Sequence, residues 1–538
     1  MRKLVTFAVC LPAVTLLLPA RISPMRVTQA ATLSSPVSAC LPSTAGVDAG
    51  FDLSGVGRLP SGYPRLPRIG VDSAIVPPSL LKAVGWVESM WQQFNDKNVP
   101  LLSPDFGYGI MQITSGMAGA TGDPTGLGTV PLTTQDHIGG DYLYNIAYGA
   151  RMLAQAFLAE PAIDNRDPTI LEDWYYALWA YNGWGYANNP NNPVFNRQGT
   201  PASNPSGFPY QERIYYWLEH PPTDASGHPL WTPMQVTLPS PAQIGTTPHS
   251  LQLTSIHREI PHIYGATYDV PDALTAMHAS TSVLVHVGVY NTSGVNWEPS
   301  KTRPAFALIY HWVRPGGKGT LNYDPKLHGV DVADGRPVYV SHATPIGGFI
   351  RMAVRLTAPK TPGNYNLEWD MWGRQPGWFS YNSVRPGIQA VTVASPQATI
   401  PPYIDPPAPV TLRGPHAWFV TLTTAAVPPT LISNQSYSET ALLFNPGSSG
   451  WGIHYRIALV GSQTAESLPV EYVAACRTVP IPITGTAPAT PGNYTQIWRL
   501  RNPDGKYFGP DIRVQFTVSS GSGSKRTVLR QIGNSSSP

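Results

Sequence analysis

The chain of 538 residues is too long for a single hydrophobic core, and a domain size of about 150 residues predicts three or so domains. Hydrophobic residues make up 42% of the sequence and charged residues 12%, a composition that excludes an intrinsically disordered chain. The net charge of +3 is unevenly distributed: residues 71–222 carry 6 Lys and Arg against 14 Asp and Glu, whereas the remainder carries 29 against 18. This diffuse basic excess is typical of a solvated surface and does not predict a nucleic-acid partner.

The first residues have the pattern of an export signal. Arg2 and Lys3 precede an apolar run over residues 4–20, and residues 28–30 are small enough for cleavage before Ala31. We therefore expect residues 1–31 to be a signal peptide and the mature protein to lie outside the cytoplasm. An uncleaved membrane anchor is the alternative, because the run approaches the length of a spanning helix.

Three cysteines are too few for a disulfide framework. Cys10 lies in the expected signal, which leaves Cys40 and Cys476 as a pair that can form a disulfide in an oxidising compartment. Residues 37–40 loosely resemble a lipoprotein box, but they lie well beyond the apolar run.

The region before residue 223 divides into a linker and a helical domain. Residues 32–70 are rich in Ser, Pro and Gly and predict a linker, whereas residues 71–222 predict a mostly helical domain. Residues 77–79 can open a helix, and further helices are expected at about 138–160 and 170–181. One face of the first helix carries, at spacings of three and four, Leu81, Val84, Glu88 and Trp91.

Beyond a Pro-rich segment at residues 223–250, interpreted as a second linker, the hydrophobic period becomes two. An internal repeat divides this half, because the sequence APKTPGNY at 358–365 returns as APATPGNY at 487–494. The repeat predicts two tandem all-β immunoglobulin-like sandwiches, at 251–396 and 408–519, followed by a flexible tail at 520–538.

The sandwiches resemble the four-tryptophan Ig-like domain found in autophagy receptors and in bacterial wall-associated proteins. The tryptophans that carry this resemblance are Trp297, Trp312, Trp369 and Trp372 in the first copy and Trp451 and Trp498 in the second. Large aromatic residues dominate sandwich cores, so we expect these side chains to be buried and not to bind sugars.

Glu88 is the residue on the first helix that needs an explanation. A carboxylate on an otherwise apolar face is costly unless it is paired or used. Burial would raise its pKa and keep it protonated near neutrality, which is what a general acid needs in order to protonate a glycosidic oxygen. A Glu that reaches solvent or pairs with an Arg would have no such role.

Four segments place Glu88 in a context that resembles the soluble lytic transglycosylase and goose-type lysozyme family. They are residues 87–89 (VES), 107–113 (GYGIMQI), 145–153 (NIAYGARML) and 177–183 (ALWAYNG), in the family's order. The resemblance covers roughly 150 residues of the chain and implies a mainly α, lysozyme-like catalytic domain at 71–222.

The resemblance implies that Glu88 is the catalytic acid. The expected substrate-binding residues are Ser89, Tyr108, Met111, Gln112, Tyr181 and Asn182. Gly107 and Gly109 allow the backbone to approach a ligand, so that a thioether and an amide can reach the N-acetyl group of a sugar. A tight turn and core packing would explain the same residues without a substrate.

Most glycosidases use two carboxylates, but the family that this sequence resembles commonly uses one. In that reaction the substrate's N-acetyl group stabilises the developing cation, and Glu88 then activates the muramic acid C6 hydroxyl to give a 1,6-anhydro product. A second carboxylate that positions water would give hydrolysis instead, and Asp105 is the best candidate for it. The expected activity is therefore that of a peptidoglycan lytic transglycosylase, with a muramidase, a chitin-type glycosidase or a non-catalytic wall-binding protein as alternatives.

The sequence contains no phosphate loop, no zinc-protease motif and no nucleophile elbow, so no cofactor or metal is expected. The expected partners are peptidoglycan glycan strands and, through the sandwiches, a wall polymer or a protein. The expected location is secreted or cell-wall associated.

Overall fold

The computed structural model describes residues 43–69, 75–96, 99–119, 127–271, 273–299, 306–315, 335–375 and 377–405. Further along the chain it describes 421–422, 426–427, 430–445, 450–452, 454–461, 466–469, 473, 478–519 and 529–530. The predicted signal peptide, Cys40 and Cys476 lie outside these ranges. Within them, no helix combines the length and the apolar character needed to cross a membrane.

The N-terminal part is helical. Its helices are α1 (Thr44–Gly55), α2 (Pro78–Ser89), α3 (Leu132–Gly140), α4 (Tyr142–Ala159), α5 (Tyr175–Tyr181), α6 (Tyr210–Glu219) and the short α7 (Pro241–Ile244). Helix α2 begins at Pro78 as predicted, because a proline at the first helical position loses no hydrogen bond and has the required φ. The helices surround one core, in which aromatic side chains such as Trp174, Tyr175 and Trp179 are fully buried among leucines and isoleucines.

Helix α1 lies in the segment that the sequence predicts as a linker. The Ser43 hydroxyl caps it by accepting a hydrogen bond from Gly46 N (3.1 Å). Val47 and Phe51 are buried in the helical core, and the ring of Phe51 lies 5.2 Å from that of Trp91. The composition of this segment does not predict the helix, because Gly and Ser are weak helix formers. Packing against the core stabilises the helix despite these residues.

The Pro-rich segment after α6 also differs from its prediction as a linker. Trp231 is only 2% exposed and stacks on Trp91 at 5.5 Å, and Leu251 pairs with Ile163 in a parallel bridge. The buried carboxylate of Glu172 accepts hydrogen bonds from Thr237 N (2.9 Å) and His257 N (2.9 Å). Prolines exclude regular helix here but allow an extended strap that covers the helical core.

The C-terminal part consists of β-sheets, as predicted. The first group of strands is β1 (Ala266–Asp269), β2 (Ala276–His278), β3 (Ser282–Asn291), β4 (Ala307–Val313), β5 (Val338–Tyr339), β6 (Phe349–Thr357), β7 (Gly363–Gly373), β8 (Gly377–Trp378) and β9 (Gly387–Ala394). They form one sheet of order β1-β3-β6 and another of order β2-β9-β7-β4-β5, in which β8 pairs with β7. The two sheets enclose a common hydrophobic core.

The second group repeats this arrangement. Its strands are β10 (Thr421–Leu422), β11 (Ala426–Val427), β12 (Thr430–Ile432), β13 (Ser436–Phe444), β14 (Arg456–Leu459), β15 (Glu466–Pro469), β16 (Thr478–Thr486), β17 (Gly492–Arg501), β18 (Tyr507–Ser519) and β19 (Leu529–Arg530). The sheets have the orders β10-β13-β16 and β12-β18-β17-β14-β15. Part of the predicted tail forms β19, which pairs with β11.

The repeated sequence forms an equivalent hydrogen bond in each of the two groups of strands. Tyr365 donates to Thr361 O (2.9 Å), and Tyr494 donates to Thr490 O (2.8 Å), so each tyrosine fixes the corner before its strand. Five tryptophans are buried in the two cores, while Trp372 is partly exposed; the buried ones are Trp297, Trp312, Trp369, Trp451 and Trp498.

Candidate active site

Glu88 lies in the last turn of α2. The chain leaves the helix abruptly, because Met90 (φ +54°) and Trp91 (φ +63°) both adopt the left-handed conformation that residues with a Cβ rarely adopt. The carboxyl therefore lies at the helix C-terminus, where the unpaired carbonyl groups disfavour a negative charge. The position alone favours a protonated Glu88.

The surroundings of Glu88 act in the same direction. The side chain is partly buried, and this loss of solvent raises its pKa to about 7, with a smaller increase from the charge of Asp105. Two groups oppose the increase: the Tyr210 hydroxyl, which donates a hydrogen bond to Glu88 Oε1, and the guanidinium of Arg213. Glu88 is thus a carboxyl that can carry or release a proton near neutral pH.

The turn at residues 107–113 is fixed beside α2 by two buried amides. Gln93 Oε1 accepts from Ile110 N (3.2 Å), and Asn145 Oδ1 accepts from Met111 N (2.8 Å). Gly109 (φ +68°) lies between them, and a Cβ there would be 2.5 Å from Gln93 Oε1. The glycine is therefore required for the close approach of the turn to both amides.

Two of the predicted substrate-binding side chains have structural roles. Ser89 is buried and donates to Ile110 O (2.9 Å), so it ties α2 to the turn and does not orient the Glu88 carboxyl. Met111 is 0% exposed and packs on Gly149, where a Cβ would be 2.7 Å from Met111 Cβ. Its thioether is enclosed in the core and does not reach the surface.

The other predicted residues lie nearer to solvent. Tyr181 ends α5 and donates to Met111 O (2.7 Å), and burial together with the charge of Glu88 raises its pKa. Gln112 donates from Nε2 to Gly109 O (2.7 Å), and Tyr108 is partly exposed on the same turn. Asn182 is exposed directly after Tyr181. The structure thus brings α2, the turn and the end of α5 together around Glu88.

The sequence prediction missed Tyr210, Arg213 and Gln93. Tyr210 opens α6, and Arg213 lies one turn later with its guanidinium carbon 5.9 Å from the centre of the Tyr210 ring. The signal available in the sequence was a Pro followed by Tyr at the start of an amphipathic helix, which is equally typical of a core helix.

Asp105 lies on the loop before the turn. Its side chain is exposed and accepts a hydrogen bond from Ser103 Oγ (2.5 Å). Its negative charge raises the pKa of Glu88 and is the smallest of the four contributions to the shift of that pKa.

Solved structures with some likeness to this chain are of low similarity. Fibronectin(III)-like modules of Clostridium thermocellum CbhA are 11% identical, with 48% of this chain and 99% of that chain covered and a TM-score of 0.14. The sialic acid binding region of a Streptococcus sanguinis adhesin is 9% identical, with 48% and 78% covered and a TM-score of 0.16. Salmonella alpha-2-macroglobulin is 13% identical, with 47% and 16% covered and a TM-score of 0.15. Such scores support no inference about fold or function.

No curated protein matches the sequence. Residues 428–518 match the family described as the Ig-like domain from next to BRCA1 gene. This segment contains β12 to β18 and the tyrosine corner at Tyr494. The chain therefore combines a helical N-terminal part with a C-terminal β part that includes an Ig-like domain.

Proposed function

We propose that the helical part is the catalytic domain of a peptidoglycan lytic transglycosylase that cleaves the β-1,4 bond between N-acetylmuramic acid and N-acetylglucosamine. The observation that carries this proposal is the state of Glu88: a partly buried carboxyl with a pKa raised to about 7 and with Oε1 bound by Tyr210. The four segments that resemble the transglycosylase family are joined to one another by hydrogen bonds at the turn beside α2: Ser89 donates to Ile110 O, Met111 N donates to Asn145 and Tyr181 donates to Met111 O.

In the proposed reaction, Glu88 donates its proton to the glycosidic oxygen while the bond from that oxygen to C1 breaks. The carbonyl of the substrate's N-acetyl group stabilises the cation that develops at C1. The carboxylate of Glu88 then accepts the proton of the C6 hydroxyl, whose oxygen attacks C1 and closes the 1,6-anhydro ring. Tyr210 fixes one carboxyl oxygen, which leaves Oε2 for both proton transfers.

Asp105 favours one second candidate, hydrolysis by a muramidase. Its exposed carboxylate acts electrostatically on Glu88 and can accept a proton from a water molecule. Water that attacks C1 would leave a reducing end in place of the anhydro ring.

The sandwiches are proposed to be of the four-tryptophan type and to anchor or space the catalytic domain outside the cytoplasm, through a wall polymer or a protein partner. Their support is the duplicated tyrosine corner and the buried tryptophans of both copies.

The test is digestion of purified peptidoglycan by the signal-free protein, by Glu88→Gln and by the control Glu160→Gln, with mass spectrometry of the released muropeptides. Anhydro products from the native protein and the control, lost in Glu88→Gln, support the transglycosylase. Reducing ends lost in Glu88→Gln and in Asp105→Asn support the muramidase. No release by the native protein contradicts both and favours a binding domain.

A further inference from the structure

A small cavity lies where the second sandwich meets helix α3. Its volume is about 270 Å³, and its lining includes His454, Arg456 and Arg501 of the sandwich together with Leu132 of the helix. This volume is close to the lower end of small-ligand sites, about 300–1,000 Å³. The cavity therefore suits a compact chemical group, and every ionisable side chain in its described lining is basic.

The two arginines lie on one face of their sheet. Arg456 on β14 and Arg501 on β17 are register partners of antiparallel strands, and directly opposite residues share a face. Their neighbours Ile457 and Leu500 are buried in the core, so both arginines belong to the opposite, outer face. Like charges directly opposite each other are destabilising, and an anion bound between the two guanidinium groups would offset this repulsion.

Beside this cavity the second sandwich is held against α3. Gly450 N donates to Gly140 O (3.1 Å), and His454 Nδ1 lies 3.6 Å from Asp136 Oδ1. Gly452 allows this close approach, because a Cβ there would lie 1.8 Å from Asp136 Oδ1. His454 therefore contacts the carboxyl of Asp136 and also lines the cavity, whose walls come from both parts of the chain.

Helix α3 adds a partial positive charge to the arginines. Leu132 is its first residue, and the side chain of Pro131 at the N-cap cannot accept a hydrogen bond. The N-terminal end of a helix carries roughly half a positive charge. Asp504, on the turn that follows β17, is exposed and accepts a hydrogen bond from Asn502 Nδ2 (3.4 Å). The walls of the cavity thus favour an anion.

We propose that this cavity binds a phosphate group that has at least three free oxygens, held between the guanidinium groups of Arg456 and Arg501. A guanidinium has five N–H donors in a fixed fork, so Arg456 can donate to Tyr455 O (2.9 Å) and bind an oxyanion as well. A carboxylate has two oxygens, which one fork occupies, whereas such a phosphate offers oxygens to both. The site goes beyond the proposed function, because it lies on other elements than Glu88.

The test is isothermal titration calorimetry of the signal-free protein with sodium phosphate at constant ionic strength, which keeps the screening of charges unchanged. Arg456→Gln and Arg501→Gln are each expected to weaken binding about 10-fold or more, because each loses charge-assisted hydrogen bonds. Arg513→Gln, which removes an exposed guanidinium on β18 of the same sandwich, is the matched control and should bind phosphate like the native protein. Absence of binding by the native protein, or equal binding by all three variants, would overturn the inference.

Two other ligands identify the source of the phosphate. If glycerol 3-phosphate binds at least as tightly as inorganic phosphate, the ligand is the terminal phosphate of an ester. If inorganic phosphate alone binds, the ligand is the free ion. Acetate that binds as tightly as phosphate would contradict the recognition of phosphate by two forks.

Two further variants keep the inference separate from misfolding and from the proposed function. Arg501→Lys keeps the charge but not the planar fork, so it should bind phosphate more weakly than the native protein even if the glutamine variants do not fold. Binding as tight as that of the native protein would contradict the site. Glu88→Gln should bind phosphate normally, so a failure of the cleavage reaction and a failure of phosphate binding are distinguishable.

Discussion

Helix α2 carries polar side chains on two opposite faces, and the two faces contact different parts of the molecule. Glu88 is nine residues from Ser79, which at about 100° per residue places the two about 180° apart around the helix. One face meets the turn at 107–113 and α6. The other face, with Ser79 and Lys82, meets α1 and the segment that leads to the first sandwich.

The second face carries a cluster of charges in which Lys82 is buried and the carboxyls are partly buried. Lys82 Nζ lies 2.7 Å from Asp48 Oδ1 and 2.7 Å from Asp52 Oδ1, both on α1. Glu259 accepts from Ser79 N (3.1 Å) and from Ser79 Oγ (3.0 Å). Two carboxylates therefore share the Lys82 ammonium group, and a third carboxyl binds the N-terminus of α2, at the junction between the helical part and the first sandwich.

Burial raises the pKa of carboxyls on both faces, so a raised pKa does not by itself identify the reactive one. It raises the pKa of Asp52 to about 6 and that of Glu259 to about 7, while Glu88 also reaches about 7. A cavity of about 1100 Å³ lies on the Lys82 face, not at Glu88. We favour Glu88 as the proposed acid because of what each carboxyl binds among the described residues. Glu88 accepts a hydrogen bond from a neutral tyrosine, whereas Asp52 is paired with the Lys82 cation and Glu259 binds the N-terminus of α2.

Replacing one carboxyl on each face of α2 by an amide is expected to give the largest difference in activity between two variants. Glu88→Gln should lower kcat by about 100- to 10,000-fold, because an amide cannot donate the proton that the leaving oxygen needs. Glu259→Gln should retain activity, since the amide resembles the neutral carboxyl that burial favours there. Muropeptide release measured under one set of conditions checks both, and equal losses would contradict the assignment of the two faces.

Removing the cation of the cluster should mainly affect stability. Lys82→Met leaves the partly buried Asp48 and Asp52 without their partner, which should lower the free energy of unfolding by about 2–3 kcal/mol, less than for a fully buried pair. Arg513→Met, which removes an exposed pair with Asp511, is the control and should cost less than about 1 kcal/mol. Urea unfolding followed by tryptophan fluorescence measures both, and similar midpoints for the two variants would rule out a structural role for the cluster.

Tyr210→Phe should change the pH dependence of the reaction at Glu88. The protonated form of Glu88 is the acid, so kcat/KM should fall as pH rises through about 7. The Tyr210 hydrogen bond lowers the pKa of Glu88, so its removal should shift this fall to higher pH and reduce kcat by about 10-fold. Tyr176→Phe, which loses a bond to His249 O, is the matched control. An unshifted profile would show that Tyr210 does not act on the carboxyl.

The carboxyls on the Lys82 face of α2 should make the protein less stable as the pH rises. Asp52 and Glu259 have folded-state pKa values of about 6 and about 7, above the ordinary 3.8 and 4.5. The folded chain binds more protons than the unfolded chain in that window, so stability should fall as pH rises from about 4 to about 7. Thermal midpoints across this range test the sign, and Glu259→Gln should flatten the slope relative to the native protein. If Glu259→Gln leaves the dependence of the thermal midpoint on pH unchanged, this carboxyl is not the cause of that dependence.

The fold was predictable where local patterns are strong. The start of α2 at Pro78, the change of period after the helical part and the repeat at Tyr365 and Tyr494 all have local signals. Helix α1 and the strap around Trp231 were predicted as linkers, because Gly, Ser and Pro give no periodic signal and their order comes from burial against residues far away in the chain.

The sequence by itself singled out Glu88 as the candidate acid, since a Glu on an apolar helix face needs a role, and it determined that the C-terminal half is duplicated. Only the tertiary structure decided what surrounds Glu88. Tyr210 is 122 residues from Glu88, and Glu259 is 180 residues from Ser79. Contacts over such separations depend on how whole elements pack, and no local pattern encodes them. The same packing directs Trp184 outward and encloses Met111, which the sequence alone could not distinguish.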